Sequence, residues 1–204
     1  MPDLSYEKKC QSAGYKSVAG VDEAGRGPLA GPVSAAAVIL PAGYKNDLLD
    51  DSKKLSEKKR ELLYDEIMAD ERIIWSLSFA EPAEIDEINI LKATHAAMAR
   101  AVDGLAAQVD YCLIDGLPVP AFPYEHEGIV KGDSKSLSIA AASIIAKVSR
   151  DRKMLEYAEL YPEYGFEKHK GYGTKQHRAA LDKHGPCPIH RHSFSPVAQL
   201  SLGI

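Results

Sequence analysis

Two adjacent carboxylates, Asp22 and Glu23, end the apolar run Val18-Ala19-Gly20-Val21, and a Gly-Arg-Gly turn follows at Gly25, Arg26 and Gly27. Adjacent anions repel, and burying either one without a cation is costly. Metal binding at a strand end accounts for the pair, beside a loop whose glycines let the backbone approach a ligand closely. A plain surface turn after a strand is the weaker alternative. Two more carboxylates share this setting. The segment VDYCLID at 109–115 ends in Asp115 before Gly116, and Asp133 lies in the polar turn KGDSKS at 131–136. In an open α/β sheet, ligands gather where strand ends and their loops converge. Four carboxylates gathered there need cations to stay ionised, and oxygen-only donors suit Mg²⁺ or Mn²⁺ rather than zinc. Two such ions about 4 Å apart are the arrangement for in-line phosphodiester hydrolysis, one activating the attacking water and the other stabilising the leaving 3′ oxygen.

Other residues carry weaker signals. Lys53, in Asp51-Ser52-Lys53, is a candidate phosphate contact, with helix-entry solvation an equal alternative; Ser134, Lys135, Thr174 and Arg191 are candidates on the same logic. Tyr172, between Gly171 and Gly173, reads by itself as an exposed loop tyrosine. The cluster His184, Cys187, His190, His192 has the spacing H-x-x-C-x-x-H-x-H with two prolines inside it, which fits no usual structural zinc site. His95 sits on an apolar stripe and reads as a core or boundary histidine. Asp151 reads as half of an ion pair rather than as a carboxylate behind the site.

These residues need elements to hold them. Segments 18–22, 32–40, 72–80, 109–115 and 127–130 read as strands, and the short loop Gly25–Gly31 makes the first two a hairpin-like antiparallel pair. Helical spacing predicts helices over 57–69, capped by Ser56, over 82–107, over 138–161 and over 175–183, with a short one near Val197. Residues 1–16 read as a short helix or arm without chemistry. The sum is an α/β fold with one main sheet: residues 1–162 as the catalytic domain, and 163–204 as a helical and loop appendage packed on it.

Composition narrows the class. With 204 residues, 45% hydrophobic and 26% charged, the chain is an ordinary globular protein with one sizeable core. No apolar run approaches the roughly 20 residues that span a bilayer, and the N-terminus lacks the apolar core of a secretory signal. Cys10, Cys112 and Cys187 are odd in number and widely spaced, which argues for a reducing compartment, the cytoplasm. The net charge of −4 is unevenly spread: Lys147 to His192 holds ten Lys/Arg against six Asp/Glu and five of the seven histidines, leaving the remainder strongly acidic. A basic region beside an acidic site suits a metal-dependent nuclease, one part holding phosphates and the other cations.

DEAGRGP at 22–28, the strand ending in Asp115-Gly116, KGDSKSLSIAAASIIAKVSRD at 131–151, GYGT at 171–174 and PIHRHSF at 188–194 together resemble bacterial ribonuclease HII, from about Val18 to Phe194. The related ribonuclease HIII usually has Glu where this chain has Asp133. The resemblance implies a ribonuclease H-like mixed sheet flanked by helices, with a C-terminal helical segment. It implies that Asp22, Glu23, Asp115 and Asp133 are the catalytic, metal-binding carboxylates, holding two Mg²⁺ or Mn²⁺. It further implies that the backbone of Gly25, Arg26 and Gly27 contacts the 2′-OH of a ribonucleotide, and that Tyr172 packs on the deoxyribose after it, selecting an RNA–DNA junction. The implied substrate is an RNA–DNA hybrid or duplex DNA with embedded ribonucleotides, cut 5′ to the ribonucleotide to leave 3′-OH and 5′-phosphate. The protein is expected to be a monomer with no membrane partner.

Overall fold

A computed structural model describes residues 1–201. Five strands, β1 (Val18–Ala24), β2 (Val33–Ile39), β3 (Ile74–Ala80), β4 (Tyr111–Asp115) and β5 (His126–Ile129), form one sheet in the order β3-β2-β1-β4-β5. The pairs β1–β2 and β2–β3 are antiparallel, the first joined by a short loop and the second across the segment that carries α2; β1–β4 and β4–β5 are parallel. The helices are α1 (Ser5–Ser12), α2 (Glu57–Ala69), α3 (Pro82–Ile88), α4 (Ile90–Asp103), α5 (Leu137–Leu160), α6 (Phe166–His169), α7 (Lys175–His184) and α8 (Val197–Ser201).

Both faces of the sheet are covered, so the central strands read as continuous apolar runs. Ala19, Val21, Ala35 and Ala37 pack under α4, while Ala36 and Val38 pack against α5 and α2. The small residues of β1 and α5 let these two approach closely. A Cβ added to Gly20 would lie 2.2 Å from the backbone carbon of Ser138. A third cluster joins Leu29 and Ala30 to Met154, Phe166, Leu181 and Ile189, tying the last forty residues to the β1–β2 loop.

Four readings of the sequence need correction. The single helix expected over 82–107 is two, broken at Asn89, and it ends at Asp103. Asn89 takes φ 69° and its side chain accepts from the Leu91 and Lys92 amides, so a helix cap wins over propagation. The glycine-rich loop 165–174 contains the helical turn α6. Strand β1 does not stop at Asp22; Asp22 and Glu23 still pair with Ala36 and Ala35 of β2. The N-terminal arm is not idle: Glu7 of α1 is buried, and its Oε1 accepts from Ser136 Oγ, Ser138 Oγ and the Ser138 amide at the start of α5.

Because the atom facing Gly20 is backbone, it cannot swing aside. Gly20→Ala is expected to lower stability by about 1–3 kcal/mol, read as a lower urea midpoint at unchanged slope; an unchanged midpoint would mean the β1–α5 contact has slack.

Candidate metal centre and substrate-reading loops

Successive strand residues face opposite sides of a sheet. Val18 packs with Ile139 of α5 and Gly20 meets Ser138, so Asp22 faces the α5 side. Glu23 faces the other side, where it lines a groove of about 420 Å³ with Leu91, His95 and Met98 of α4. The adjacent pair therefore straddles the end of the sheet. On the neighbouring strand, Asp115 follows Ile114, which pairs with Val21, and so comes level with Asp22. Asp133 arrives from a single 3₁₀ turn, Gly132–Ser134, directly before α5. Ligand oxygens of Asp22, Asp115 and Asp133 lie within 4.8 Å of one another.

Two of the carboxylates are held by backbone donors. Asp22 Oδ1 accepts from the Glu23 amide at 2.7 Å, and Asp115 Oδ1 from the Gly132 amide at 2.6 Å. The second bond ties the end of β4 to the turn that carries Asp133. Glu23, expected as a fourth ligand, is not drawn into the trio; its Oε1 lies 3.4 Å from Arg26 Nη1. Lys53 Nζ reaches Asp133 Oδ2 at 4.0 Å from a largely exposed side chain.

Asp22 and Asp133 are nearly inaccessible to solvent. Burial, then the neighbouring Glu23 and Asp115, push the Asp22 pKa well above the usual carboxylate range. Burial, with Asp115 and Asp51 close by, raises Asp133 to about 6. Glu23 is also raised by burial, with Arg26 opposing. Burial opposes the charge on Lys53, but Asp22 and Asp133 outweigh it and raise its pKa. An all-oxygen donor set, buried and short of positive charge, fits a hard divalent cation.

The two loops named from the sequence meet. Gly25 takes φ +94°, and a Cβ there would collide with Arg150 Nε; a Cβ on Gly27 would lie 3.8 Å from Tyr172 Cε1. The Leu29 amide donates to Gly171 O at 2.9 Å. Tyr172 is about half exposed at the loop tip. Behind it stand three buried histidines. His177 Nδ1 must donate to Tyr172 O at 3.0 Å, which leaves Nε2 to accept from His190 Nε2–H at 3.0 Å. His190 Nδ1 then accepts from the Cys187 amide at 2.9 Å. Burial holds both rings at about 4, so the chain of bonds is neutral at physiological pH. His169 stacks on His177 at 4.6 Å. In the cluster His184, Cys187, His190 and His192, the His190 ring is taken up by hydrogen bonds to His177 and Cys187.

Other expected contacts fall as follows. Ser134 Oγ donates to Lys131 O, Lys135 is exposed, and Thr174 Oγ1 caps α7 by accepting from the His177 amide. Asp151 pairs with Lys147 at 2.7 Å, the ion pair that its sequence setting favoured. Arg191 corrects an expectation. It is not available to a phosphate: it is fully buried, with its guanidinium donating to Gly25 O, Arg26 O and Gly31 O. Arg150, unnoticed in the sequence, is buried beside it and donates to Pro32 O, Ala30 O and Lys170 O. Neither arginine advertises this role: Arg150 stands in a charged stretch that reads as surface, and Arg191 stands between two histidines in an irregular segment.

A mixed five-stranded sheet in this order, flanked by helices and with carboxylates converging where its central parallel strands end, is the ribonuclease H fold. The family model described as Ribonuclease HII matches residues 19–197. Ribonuclease HII of Desulfitobacterium hafniense is 56% identical over 196 residues, 96% of this chain and 75% of that protein. Ribonuclease HII of Endomicrobium trichonymphae is 57% identical over 195 residues, 95% of this chain and 92% of that protein. The crystal structure of ribonuclease H2 from Pyrococcus horikoshii OT3 matches with a TM-score of 0.72 at 25% identity, covering 92% of this chain and 98% of that one. The chain belongs to the ribonuclease HII family and is a ribonuclease H endonuclease.

The raised pKa values have a cost. The Asp133 pKa in the folded protein, about 6, lies above its ordinary 3.8. Without metal, the folded state therefore loses stability as pH rises from about 4 to above 6, where the unfolded chain ionises freely. Asp133→Asn is expected to stabilise the metal-free protein by about 1–3 kcal/mol at pH 8, with the gain vanishing near pH 4. Thermal melts in chelator at the two pH values check this; a gain independent of pH would assign it to packing.

Proposed function

We propose that this protein hydrolyses the phosphodiester 5′ to a ribonucleotide in an RNA–DNA hybrid or in DNA with embedded ribonucleotides, leaving 3′-OH and 5′-phosphate. The observation that carries this reading is the trio Asp22, Asp115 and Asp133, two buried and one half-buried, whose oxygens converge within 4.8 Å, with a largely exposed lysine as the cation paired to them among the described residues. Asp22, Glu23, Asp115 and Asp133 are the proposed ligands of two Mg²⁺ or Mn²⁺ ions. When bound, such ions activate the attacking water and stabilise the charge developing on the leaving 3′ oxygen.

The chain's own residues do the rest. Asp22 and Asp115, fixed by backbone amides, hold the metal site in register with the sheet. Glu23, on the opposite face of β1 beside Arg26, is the proposed fourth donor. Lys53, Ser134, Lys135 and Thr174 are proposed to hold phosphates around the scissile one. The backbone of Gly25, Arg26 and Gly27 reads the 2′-OH, the group that separates RNA from DNA. Tyr172, touching the same loop, packs on the following deoxyribose and so selects the junction. Residues 1–162 carry the chemistry on this reading, and the segment from 163 onward carries the junction reader. A monomer acting in the cytoplasm, in ribonucleotide excision during DNA repair and replication, is the setting that fits.

Asp22→Asn and Asp115→Asn are each expected to abolish cleavage of a duplex holding one ribonucleotide while leaving the circular dichroism spectrum unchanged. Near-wild-type rates in both would remove the carboxylates from the reaction. Tyr172→Ala should cost roughly tenfold more on the single-ribonucleotide duplex than on a long hybrid, the worth of one aromatic contact of about 1.4 kcal/mol. Equal losses on both would take the junction role from Tyr172. Mapping the wild-type cut on a gel, with and without Mg²⁺, tests the position of hydrolysis.

A further inference from the structure

Arg191 and Arg150 are 0% and 1% exposed, yet among the described residues neither pairs with a carboxylate. Two buried like charges cost stability, and apolar residues of similar volume are often the more stable choice. What the pair does instead is hold backbone. Arg191 Nε donates to Gly31 O at 3.0 Å, Nη1 to Arg26 O at 2.8 Å, and Nη2 to Gly25 O and Gly31 O. Arg150 Nε donates to Pro32 O at 2.9 Å, Nη1 to Lys170 O at 3.0 Å and Nη2 to Ala30 O at 3.2 Å. Between them they grip both ends of the Gly25–Gly31 loop and the residue two before Tyr172. Arg191 is itself seated by the Phe194 ring, 5.1 Å from its guanidinium carbon, and Asp86 accepts from the next two amides, His192 and Ser193.

Peptide planarity gives this grip a consequence. In a trans peptide the C=O and the following N–H point opposite ways. Turning Gly25 O and Arg26 O inward to Arg191 turns the amides of Arg26 and Gly27 outward. Neither amide donates to any group of the described residues. A carbonyl that accepts from a guanidinium also polarises its own peptide unit, making the outward N–H a stronger donor.

We propose that Arg191, with Arg150 beside it, is a specificity-positioning residue: it aims the Arg26 and Gly27 amides at the 2′ oxygen and locks that loop to the Tyr172 loop, so that sugar and junction are read as one unit. This deepens the proposed function and rests on its assignment of the 2′-OH to the Gly-Arg-Gly turn.

The test is Arg191→Lys. An ammonium keeps the charge but lacks the planar fork that serves three carbonyls at once. Rates of wild type and variant are compared on a duplex with one ribonucleotide and on the same duplex with a 2′-fluoro-2′-deoxyribonucleotide at that position. Mn²⁺ affinity is measured by calorimetry without substrate. The ribo-to-fluoro rate ratio is expected to fall at least tenfold in the variant, with Mn²⁺ affinity within about twofold of wild type. A ratio preserved in the variant, whatever happens to the absolute rate, would overturn the proposal, since a merely structural role lowers both rates together. Should Arg191→Lys not fold, Arg150→Lys is read on the same ratio, because it frees Ala30 O and Lys170 O of the same lock. If wild type itself does not discriminate between the two duplexes, it is the assignment of the 2′-OH to the turn that fails.

Discussion

Mutual repulsion among buried carboxylates is the constraint on which the rest of this structure depends. Asp22, Asp115 and Asp133 come from three separate segments and meet where the central strands of the sheet end. Nothing among the described residues neutralises them fully. Lys53 is close but largely exposed, and Arg26 is committed to Glu23. The fold must therefore be strong enough elsewhere to hold three acids in one place. Close packing of β1 on α5 at Gly20, apolar layers on both faces of the sheet and the clamp of Glu7 on the start of α5 supply that strength. Such a cluster could hold a metal ion.

Alternation along β1 explains why an Asp-Glu pair suits such a site. The two side chains leave the strand on opposite faces, so they do not compete for one position. Asp22 joins the acids on the α5 side, and Glu23 reaches the same edge from the α4 side. The Gly-Arg-Gly turn follows immediately, so the proposed metal ligands and the proposed sugar-reading turn are separated by only one residue, Ala24. The last forty residues are less an attachment than the wall against which that turn is set. Leu29 bonds to Gly171 and Arg191, Gly31 bonds to Ile189 and Arg191, and the buried histidines brace the Tyr172 carbonyl from behind.

Much of this was legible in the residues. Apolar strand runs, the cap Ser56 and carboxylates placed after apolar runs all report local physics, and these parts of the reading match the fold. The trio of acids was visible because charge after an apolar strand violates a local rule. What was hidden depends on tertiary contact. Asn89 breaks a helix whose apolar stripe runs on through it, because its side chain finds the amides beyond. Arg150 stands among other charges and Arg191 between two histidines in an irregular segment; only burial against carbonyls from distant turns reveals them. Glu7 lies in a polar segment with weak periodicity, and its partners are about 130 residues away.

The central claim is that Asp22 and Asp133, raised by burial and by neighbouring acids, hold protons until a cation displaces them. Calorimetric titration of Mn²⁺ into the substrate-free protein at pH 6, in two buffers of different ionisation enthalpy, measures it directly. The account predicts a binding enthalpy that changes with buffer, reporting proton release, and loss of that binding when Asp22, Asp115 and Asp133 are all replaced by Asn. A buffer-independent enthalpy, or equal binding by the triple variant, would contradict it.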